Sequence, residues 1–158
     1  MATISSTSFS GDTLEIIAFR LHEQEFCVKT TTIREIRGWA PSTPIPHAPA
    51  DVIGVMNLRG SVIPIIDLAY KLGMKSTVAN ERSAIVVAEV HNMVIGMLVD
   101  RVSDILTISQ SQVQPVPEVT ASFDRSFCEG IIATESGMIC FLNLAKMFKE
   151  NDIDEMAA

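Results

Sequence analysis

The side chains best suited to paired general acid–base catalysis are four carboxylates: Glu35, Asp67, Asp100 and Asp104. Asp67 precedes a short helical pattern and fits an N-cap, whereas Asp100 ends an extended segment, where a carboxylate can accept hydrogen bonds from turn amides. No serine lies in a Gly-x-Ser-x-Gly elbow, and no glycine-rich run has the spacing and lysine of a phosphate-binding loop. With neither an activated nucleophile nor an electrophilic partner, the chain is predicted not to be an enzyme.

The potential metal ligands are three cysteines and three histidines: Cys27, Cys128, Cys140, His22, His47 and His91. The cysteines are odd in number and lack Cys-x-x-Cys spacing, and the histidines are not clustered. Cys27 and Cys140 each lie in an apolar run. We interpret all three cysteines as small buried hydrophobic residues that stay reduced and are replaceable, and we predict neither a metal nor a cofactor.

Composition excludes several other classes of function. The formal net charge of −7 disfavours nucleic acid and anionic membranes, because both need a concentrated basic face. No apolar run approaches the roughly 20 residues that cross a bilayer, and the first residues lack the pattern of a signal peptide. We therefore predict a cytoplasmic location. Of the 158 residues, 47% are hydrophobic but only 6% aromatic, which indicates an aliphatic core typical of sheets.

Residues 54–68 have the pattern of a β-hairpin followed by a short helix. Two apolar runs flank the turn Arg59-Gly60, and Asp67 fits the N-cap of the helical pattern 68–72. Two interpretations of Arg59 stay open. It is either a structural turn residue, solvated or paired with a nearby carboxylate, or an interface residue, because a planar guanidinium pairs bidentately and stacks.

The run 33–39 alternates charged and apolar side chains and ends at the only tryptophan, Trp39. It is either a charged strand face followed by a core tryptophan, or a surface for partners. The second interpretation agrees with the lack of catalytic residues, so we predict that the chain acts by docking.

Two parts of the chain repeat in the same order. Segments 15–21 and 26–28 flank a polar turn, as do segments 83–90 and 94–99. Each pair is followed by a tetrad ordered apolar, polar, acidic, apolar, at 33–36 and at 102–105. The capped hairpin 54–68 is echoed by 130–144, where Asn143 takes the place of Asp67. Similar segments in the same order indicate an internal duplication.

Each copy contains four or five short strands, and helical patterns do not alternate with them, which disfavours a doubly wound α/β fold. A sheet this short buries one face by curling into a small barrel, which also removes its edges. We predict an all-β protein with short helices, built from two barrels over about residues 13–80 and 81–150. Residues 144–150 are predicted to be helical, residues 1–12 to form a flexible tail, and residues 151–158 an acidic tail.

Four motifs in one order resemble the CheW family. They are Asn-Leu-Arg-Gly within the hairpin 54–68, Arg-Glu-Ile-Arg-Gly at 34–38, Val-Asp-Arg-Val-Ser-Asp-Ile-Leu at 99–106, and Pro-Val-Pro-Glu at 115–118 followed by Gly-Ile at 130–131. The resemblance covers about residues 13–150. It implies two five-stranded SH3-like barrels side by side, in a non-catalytic adaptor that couples methyl-accepting chemoreceptors to the histidine kinase CheA.

The resemblance also implies partners and positions. The partners are the regulatory domain of CheA and the cytoplasmic tips of the receptors, and the protein is expected to be recruited to membrane-associated arrays, where it is multimeric. In isolation we predict a monomer, because small barrels leave few free strand edges and the charge of −7 opposes self-association. Carried over by position, the residues expected to bind the receptor are Ile33, Glu35, Gly54, Ala84 and Ile105. Those expected to bind the kinase are Ile36, Arg37, Arg59 and Gly60.

Two departures from the family pattern accompany this resemblance. Residues 29–32, Lys-Thr-Thr-Thr, are more polar and cationic than usual, and Ala84 is smaller than the usual valine.

Two alternative functions stay open. One is a CheW-like adaptor of a non-flagellar, surface-motility array, and the other is a cytosolic enzyme or small-ligand sensor that uses the cleft between the barrels.

Overall fold

The computed structural model describes residues 13–117, 127–135 and 137–148. Both predicted tails, 1–12 and 151–158, lie outside the described residues, as does the last residue of the motif at 115–118. The strands are β1 (Thr13–Leu21), β2 (Gln24–Lys29), β3 (Ile33–Gly38), β4 (Val52–Leu58), β5 (Ser61–Asp67), β6 (Ala84–Val90), β7 (Met93–Val99), β8 (Arg101–Ser109), β9 (Val113–Gln114), β10 (Cys128–Thr134) and β11 (Gly137–Leu142). The helices are α1 (Leu68–Lys71) and α2 (Leu144–Met147).

The strands form two sheets, which confirms the predicted all-β class with short helices. The five-stranded sheet has the order β3-β6-β7-β5-β4, and the six-stranded sheet has the order β9-β10-β11-β2-β1-β8. The extra strand of the second sheet is the two-residue β9, which pairs with β10. The edge strands β8 and β9 are consecutive in the chain and are joined by a 3₁₀ turn at Gln110–Gln112, so the sheet curls to bring its two edges together.

The division of the strands between the sheets differs from the predicted barrels at 13–80 and 81–150. The hairpin β1–β2 belongs to the sheet of β8–β11, and the hairpin β6–β7 belongs to the sheet of β3–β5. Each half of the chain therefore gives its leading hairpin to the other half's sheet. The local pattern cannot specify this exchange, because both hairpins are apolar on both faces and either sheet offers an equivalent parallel partner strand, β5 for β7 and β11 for β2.

The sheets agree with the predicted duplication. Omitting β9, the strand orders are β3-β6-β7-β5-β4 and β8-β1-β2-β11-β10, so every strand has a counterpart in the other sheet. The predicted helix caps are also equivalent. The Asp67 carboxylate accepts from the Tyr70 amide, and the Asn143 amide oxygen accepts from the Lys146 amide. The C-terminal helix ends at Met147 within the described residues, shorter than the predicted 144–150.

Three apolar clusters hold the fold together. A shared core between the sheets includes Ile17, Phe19 and Phe26 from the six-stranded sheet and Ile66, Val86 and Met97 from the five-stranded sheet. Each sheet also encloses its own cluster. Alternate residues of β1 divide between them, because Ile16 and Ala18 belong to the interior of their own sheet whereas Ile17 and Phe19 belong to the shared core. Such two-sided burial stabilises the fold by roughly 1.5–3 kcal/mol for each large aliphatic side chain.

Candidate partner-binding surface

The edge strand β3 carries four of the predicted site residues and divides them between two faces. Its pairing with β6 contains a bulge between Ile33 and Glu35. Residues directly opposite each other in an antiparallel pair point to the same face. Ile33 therefore lies on the face of Ala88 and packs against the shared core, and Ile36 lies on the same face, opposite Val86.

Glu35 and Arg37 point the other way. They lie opposite Val87 and Ile85, which belong to the apolar interior of the five-stranded sheet. The bulge adds one residue to β3, so Ile33 and Ile36 share a face although they are three positions apart. The structure therefore separates Ile33 from Glu35 and Ile36 from Arg37, whereas the sequence analysis grouped each of these pairs.

The strand β8 repeats this geometry in the other sheet. Its pairing with β1 shifts between Ala18 and Phe19, so that Asp104 lies opposite Ala18 and Val102 lies opposite Phe19. Ile105 lies opposite Ile17, a residue of the shared core. Ile36 and Ile105 are 40% and 55% exposed, and each stands on the edge strand of its sheet. The two sheets thus present equivalent exposed isoleucines on the faces that enclose the shared core.

Ala84 and Gly54 are buried structural positions. Ala84 begins β6 opposite Gly38 and belongs to the shared core. Gly54 lies in β4 beneath the segment that joins β3 to β4, where a Cβ atom would lie 2.4 Å from the carbonyl oxygen of Thr43. Thr43 and Val55 exchange backbone hydrogen bonds of 2.8 and 2.9 Å at this point. A glycine is required because the two backbones approach closely.

The β4–β5 hairpin ends in the tight turn that the sequence predicted. Leu58 pairs with Ser61, so Arg59 and Gly60 form a two-residue loop, with φ angles of 51° and 89°. Positive φ at both positions is the type I′ geometry that matches the twist of a hairpin. The Asn57 side-chain oxygen accepts the Gly60 amide at 2.9 Å, which accounts for the asparagine two residues before Arg59.

Glu35 is the centre of a charge cluster that joins β3 to this turn. The Arg59 guanidinium donates to one carboxylate oxygen of Glu35, and the Arg37 guanidinium donates to the other at 3.4 Å. The hydrogen bond from Arg59, assisted by the charge of both arginines, lowers the pKa of Glu35 despite partial desolvation. The Arg59 side chain is 72% exposed, so its guanidinium remains accessible to a partner.

The other candidate carboxylates have structural roles. Asp67 is 5% exposed and accepts from the amides of Tyr70 and Thr77 at 3.2 and 3.1 Å. Asp100 accepts from the His22 amide at 2.6 Å, as expected for a carboxylate that bonds turn amides. Asp104 accepts from the amide of Ile105 at 2.8 Å. Asp67, Asp100 and Asp104 therefore each stabilise the local backbone by accepting hydrogen bonds from its amides.

Among the described residues, no group of three or more His, Cys, Asp or Glu side chains could hold a metal ion. Cys27 is fully buried and Cys128 is 8% exposed, in agreement with the predicted buried positions, whereas Cys140 is only partly buried, which corrects the prediction for that residue. Cys128 and Cys140 are adjacent, with their Sγ atoms 2.8 Å apart, a contact that was not predicted from the sequence. Cys128 precedes the hairpin predicted at 130–144, so that pattern does not pair it with Cys140, and the contact depends on the register of β10 with β11 and on the bulge between Cys128 and Gly130.

The small-ligand alternative places a site in the cleft between the barrels. At the junction of the sheets there is a cavity of about 200 Å³ lined by Phe26, Leu72 and Leu142. A separate cavity of about 420 Å³ lies on the inner side of the five-stranded sheet, with Ile65, Ile85 and Leu98 in its wall. Trp39, 41% exposed, forms part of its rim. Its charged group, Asp67, is already hydrogen-bonded to backbone amides, so the cavity offers no paired acid and base.

Comparison with known proteins identifies the family. The model of the CheW-like domain matches residues 15–152. The chain belongs to the CheW family. It is 51% identical over 138 residues to the chemotaxis protein CheW of Rhizobium meliloti, covering 87% of this chain and 89% of that protein. It is 30% identical to the CheW of Klebsiella aerogenes, covering 97% of this chain and 92% of that protein.

A CheW structure has the same fold. The scaffolding protein CheW from Thermoanaerobacter tengcongensis superposes with a TM-score of 0.79 at 31% identity, covering 88% of this chain and 94% of that one. The two sheets described above are therefore the paired SH3-like barrels of CheW, and the chain is a chemotaxis adaptor of this scaffold family. No helix in the described part of the chain is long and apolar enough to span a membrane.

Proposed function

We propose that this CheW-family chain couples methyl-accepting chemoreceptors to the regulatory domain of the histidine kinase CheA, without catalytic activity of its own. The observation that carries the proposal is the equivalent placement of Ile36 and Ile105 on the edge strands of the two sheets. Exposed aliphatic side chains on two edge strands that border a shared core suit an amphipathic helix, which could bury its apolar face between those strands. The helical tip of a chemoreceptor is such a partner.

The groove side of the proposed surface combines exposed and supporting residues. Ile36 and Ile105 supply exposed apolar surface for the receptor. Ile33 and Ala84 lie on the same face of the β3–β6 pair as Ile36, where they pack in or against the shared core and support the groove from inside. Gly54 contributes indirectly, because it permits the segment after β3 to lie against β4. In this proposal Ile36 moves from the kinase group of the sequence analysis to the receptor group.

The kinase side of the proposed surface is the charge cluster of Glu35, Arg37 and Arg59 with the turn residue Gly60. One carboxylate between two guanidinium groups leaves a net positive site at the end of the hairpin. Arginine is favoured at protein interfaces because it pairs bidentately with carboxylates and stacks on flat groups. We propose that Glu35 orients Arg59 for the kinase, so Glu35 moves from the receptor group to the kinase group.

The proposal includes a location and an assembly state. A chain with a net charge of −7 is expected to be monomeric in isolation and to bind neither nucleic acid nor anionic lipid directly. We propose that it is cytoplasmic and that receptors recruit it to membrane-associated arrays.

Reconstitution with receptor-containing membranes and CheA tests the coupling role. The variants are Arg59→Ala, Glu35→Lys and Ile33→Asp, compared with the unmodified chain for melting temperature, kinase affinity and receptor-dependent kinase activation. We expect near-normal melting for Arg59→Ala, whose side chain is 72% exposed. Glu35→Lys should lower the melting temperature, because it places a third positive charge beside Arg37 and Arg59. Activation should fail for at least two of the three variants. Normal activation by all three folded variants would refute this surface. Failure of the unmodified chain to activate the kinase would refute the coupling role itself.

A further inference from the structure

Two cysteines lie in contact on neighbouring strands of the six-stranded sheet. Cys128 begins β10 opposite Leu142, and Cys140 lies two residues earlier in β11, so the pair is diagonal. A bulge between Cys128 and Gly130 alters the local register, and the two Sγ atoms are 2.8 Å apart. A disulfide bond places sulfurs at about 2.05 Å, so bond formation requires an approach of less than about 1 Å.

The pair is accessible from a cavity. Both cysteines line a space of about 200 Å³ at the junction of the sheets, beside Phe26 and Leu142 and the residues Leu72 and Met74 that follow α1. Cys140 is only partly buried and also borders a second cavity of about 340 Å³ with Glu23 and Met138. A molecule as small as hydrogen peroxide therefore has room beside both sulfurs.

We propose that Cys128 and Cys140 form a peroxide-sensitive dithiol that closes reversibly to an intramolecular disulfide. In the first step the Cys128 thiolate attacks one oxygen of hydrogen peroxide. The O–O bond breaks, and the products are a sulfenic acid on Cys128 and a hydroxide ion, which is protonated to water. In the second step the Cys140 sulfur attacks the Cys128 sulfur and displaces the hydroxyl group, which leaves as water with the Cys140 proton. Two thiols lose two electrons in total, and one peroxide becomes two waters.

The environment of each cysteine decides which one reacts with peroxide and which one then closes the disulfide. A hydrogen bond from the Cys140 thiol lowers the pKa of Cys128 to about 7, against the opposing effect of burial. The pKa of Cys140 is raised, because its thiol donates to Cys128 and because it is desolvated. Cys128 is therefore the thiol with the larger thiolate fraction at neutral pH, and the thiolate is the form that reacts with peroxide.

Cys27 provides an internal comparison in the same sheet. It lies in β2 opposite Ala18 and is fully buried in the interior of the six-stranded sheet. Burial raises its pKa to about 12, so it carries negligible thiolate at neutral pH. We therefore expect Cys27 to stay a free thiol while the other two cysteines are oxidised.

Thiol mapping of the folded chain tests the proposal without any substitution. The protein is treated with equimolar hydrogen peroxide, quenched with catalase, unfolded and alkylated, with and without prior reduction by dithiothreitol. We expect the number of alkylated cysteines to fall from three to one and to return to three after reduction. Trypsin releases residues 126–146 with both cysteines, and this peptide should be two hydrogen masses lighter after peroxide.

Cleavage after glutamate identifies the bond. Glu129 and Glu135 lie between the two cysteines, so the oxidised chain should yield separate peptides joined by the disulfide. Cys27→Ala should form the same linked peptides as the unmodified chain, whereas Cys140→Ser should retain Cys128 as a sulfenic acid that a dimedone probe labels. Three alkylatable thiols after peroxide, a bond that involves Cys27, or disulfides only between chains would each overturn the proposal.

Discussion

The Arg59 guanidinium, at the turn of the β4–β5 hairpin, is paired with the Glu35 carboxylate on β3, and this ion pair connects the two opposite edges of the five-stranded sheet. The pair can form only because the sheet curls and brings its two edges together. The ion pair therefore helps to hold the curled sheet closed, in addition to being part of its surface. The bridge from Thr43 to Val55 is a second contact, between the segment after β3 and the other edge strand, β4. Residues that the sequence analysis assigned to different partners thus form one electrostatic unit.

Arg59→Ala should affect kinase binding more than folding. The arginine stands on an exposed turn, where truncation leaves no cavity, so the melting temperature should stay near that of the unmodified chain. Loss of a central interface arginine weakens binding by about thirtyfold. Titration against the CheA regulatory domain measures the effect. The matched control is Arg82→Ala, an exposed arginine before β6 that should bind normally. Equal losses for both variants would contradict a specific role for Arg59.

Glu35→Gln should change how stability depends on pH. The arginines lower the pKa of Glu35 in the folded chain, so its carboxylate stabilises the fold above its ordinary pKa of 4.5, and this stabilisation is lost as the pH falls through the lower folded value. The unmodified chain should therefore be more stable than Glu35→Gln at neutral pH, and the difference should shrink only below 4.5. Urea unfolding over a pH series measures it. A difference that grows on acidification would contradict the ion pair.

Gly54→Ala should destabilise the fold. The added Cβ would lie 2.4 Å from the Thr43 carbonyl oxygen and 2.7 Å from its carbon, and these backbone atoms must move to accommodate it. We expect a loss of about 1–3 kcal/mol in the free energy of unfolding. The control is Gly38→Ala, because nothing lies within 4 Å of a Cβ at that position. Chemical denaturation measures the stability of both variants. Equal denaturation midpoints for Gly54→Ala and Gly38→Ala would refute the close approach of the Thr43 backbone to Gly54.

Ile105→Asp should weaken receptor binding with little change in melting temperature. Its side chain is 55% exposed on the edge strand β8, so a carboxylate there stays solvated in the free protein but would be buried beneath a receptor helix. Val78→Asp provides the control, since Val78 is 85% exposed and lies in the loop between α1 and β6. Co-sedimentation with receptor-containing membranes should show reduced binding for Ile105→Asp alone. Comparable binding by the two variants would exclude Ile105 from the groove.

Local features of the fold could be predicted from the sequence because their causes are local. The Arg59-Gly60 turn follows from two residues that accept positive φ between apolar strands, and the helix caps follow from Asp67 and Asn143 before short helical patterns. The duplication was visible because the two tetrads at 33–36 and 102–105 keep one order of apolar and acidic residues. The structure shows that both tetrads contain a bulge at the second residue.

The tertiary structure alone decided how these pieces combine. The exchange of the hairpins β1–β2 and β6–β7 depends on which of two equivalent sheets each one joins, and both choices bury the same apolar faces. The bulge in β3 places Ile36 on the face of Ile33 and Glu35 on the opposite face, whereas strict alternation along a strand would place Glu35 with Ile33. The pairs Glu35–Arg59 and Cys128–Cys140 depend likewise on sheet curvature and register. The sequence determined the residue types, strands and turns, whereas long-range packing determined which side chains meet, because a contact between distant residues has no signature in either local segment alone.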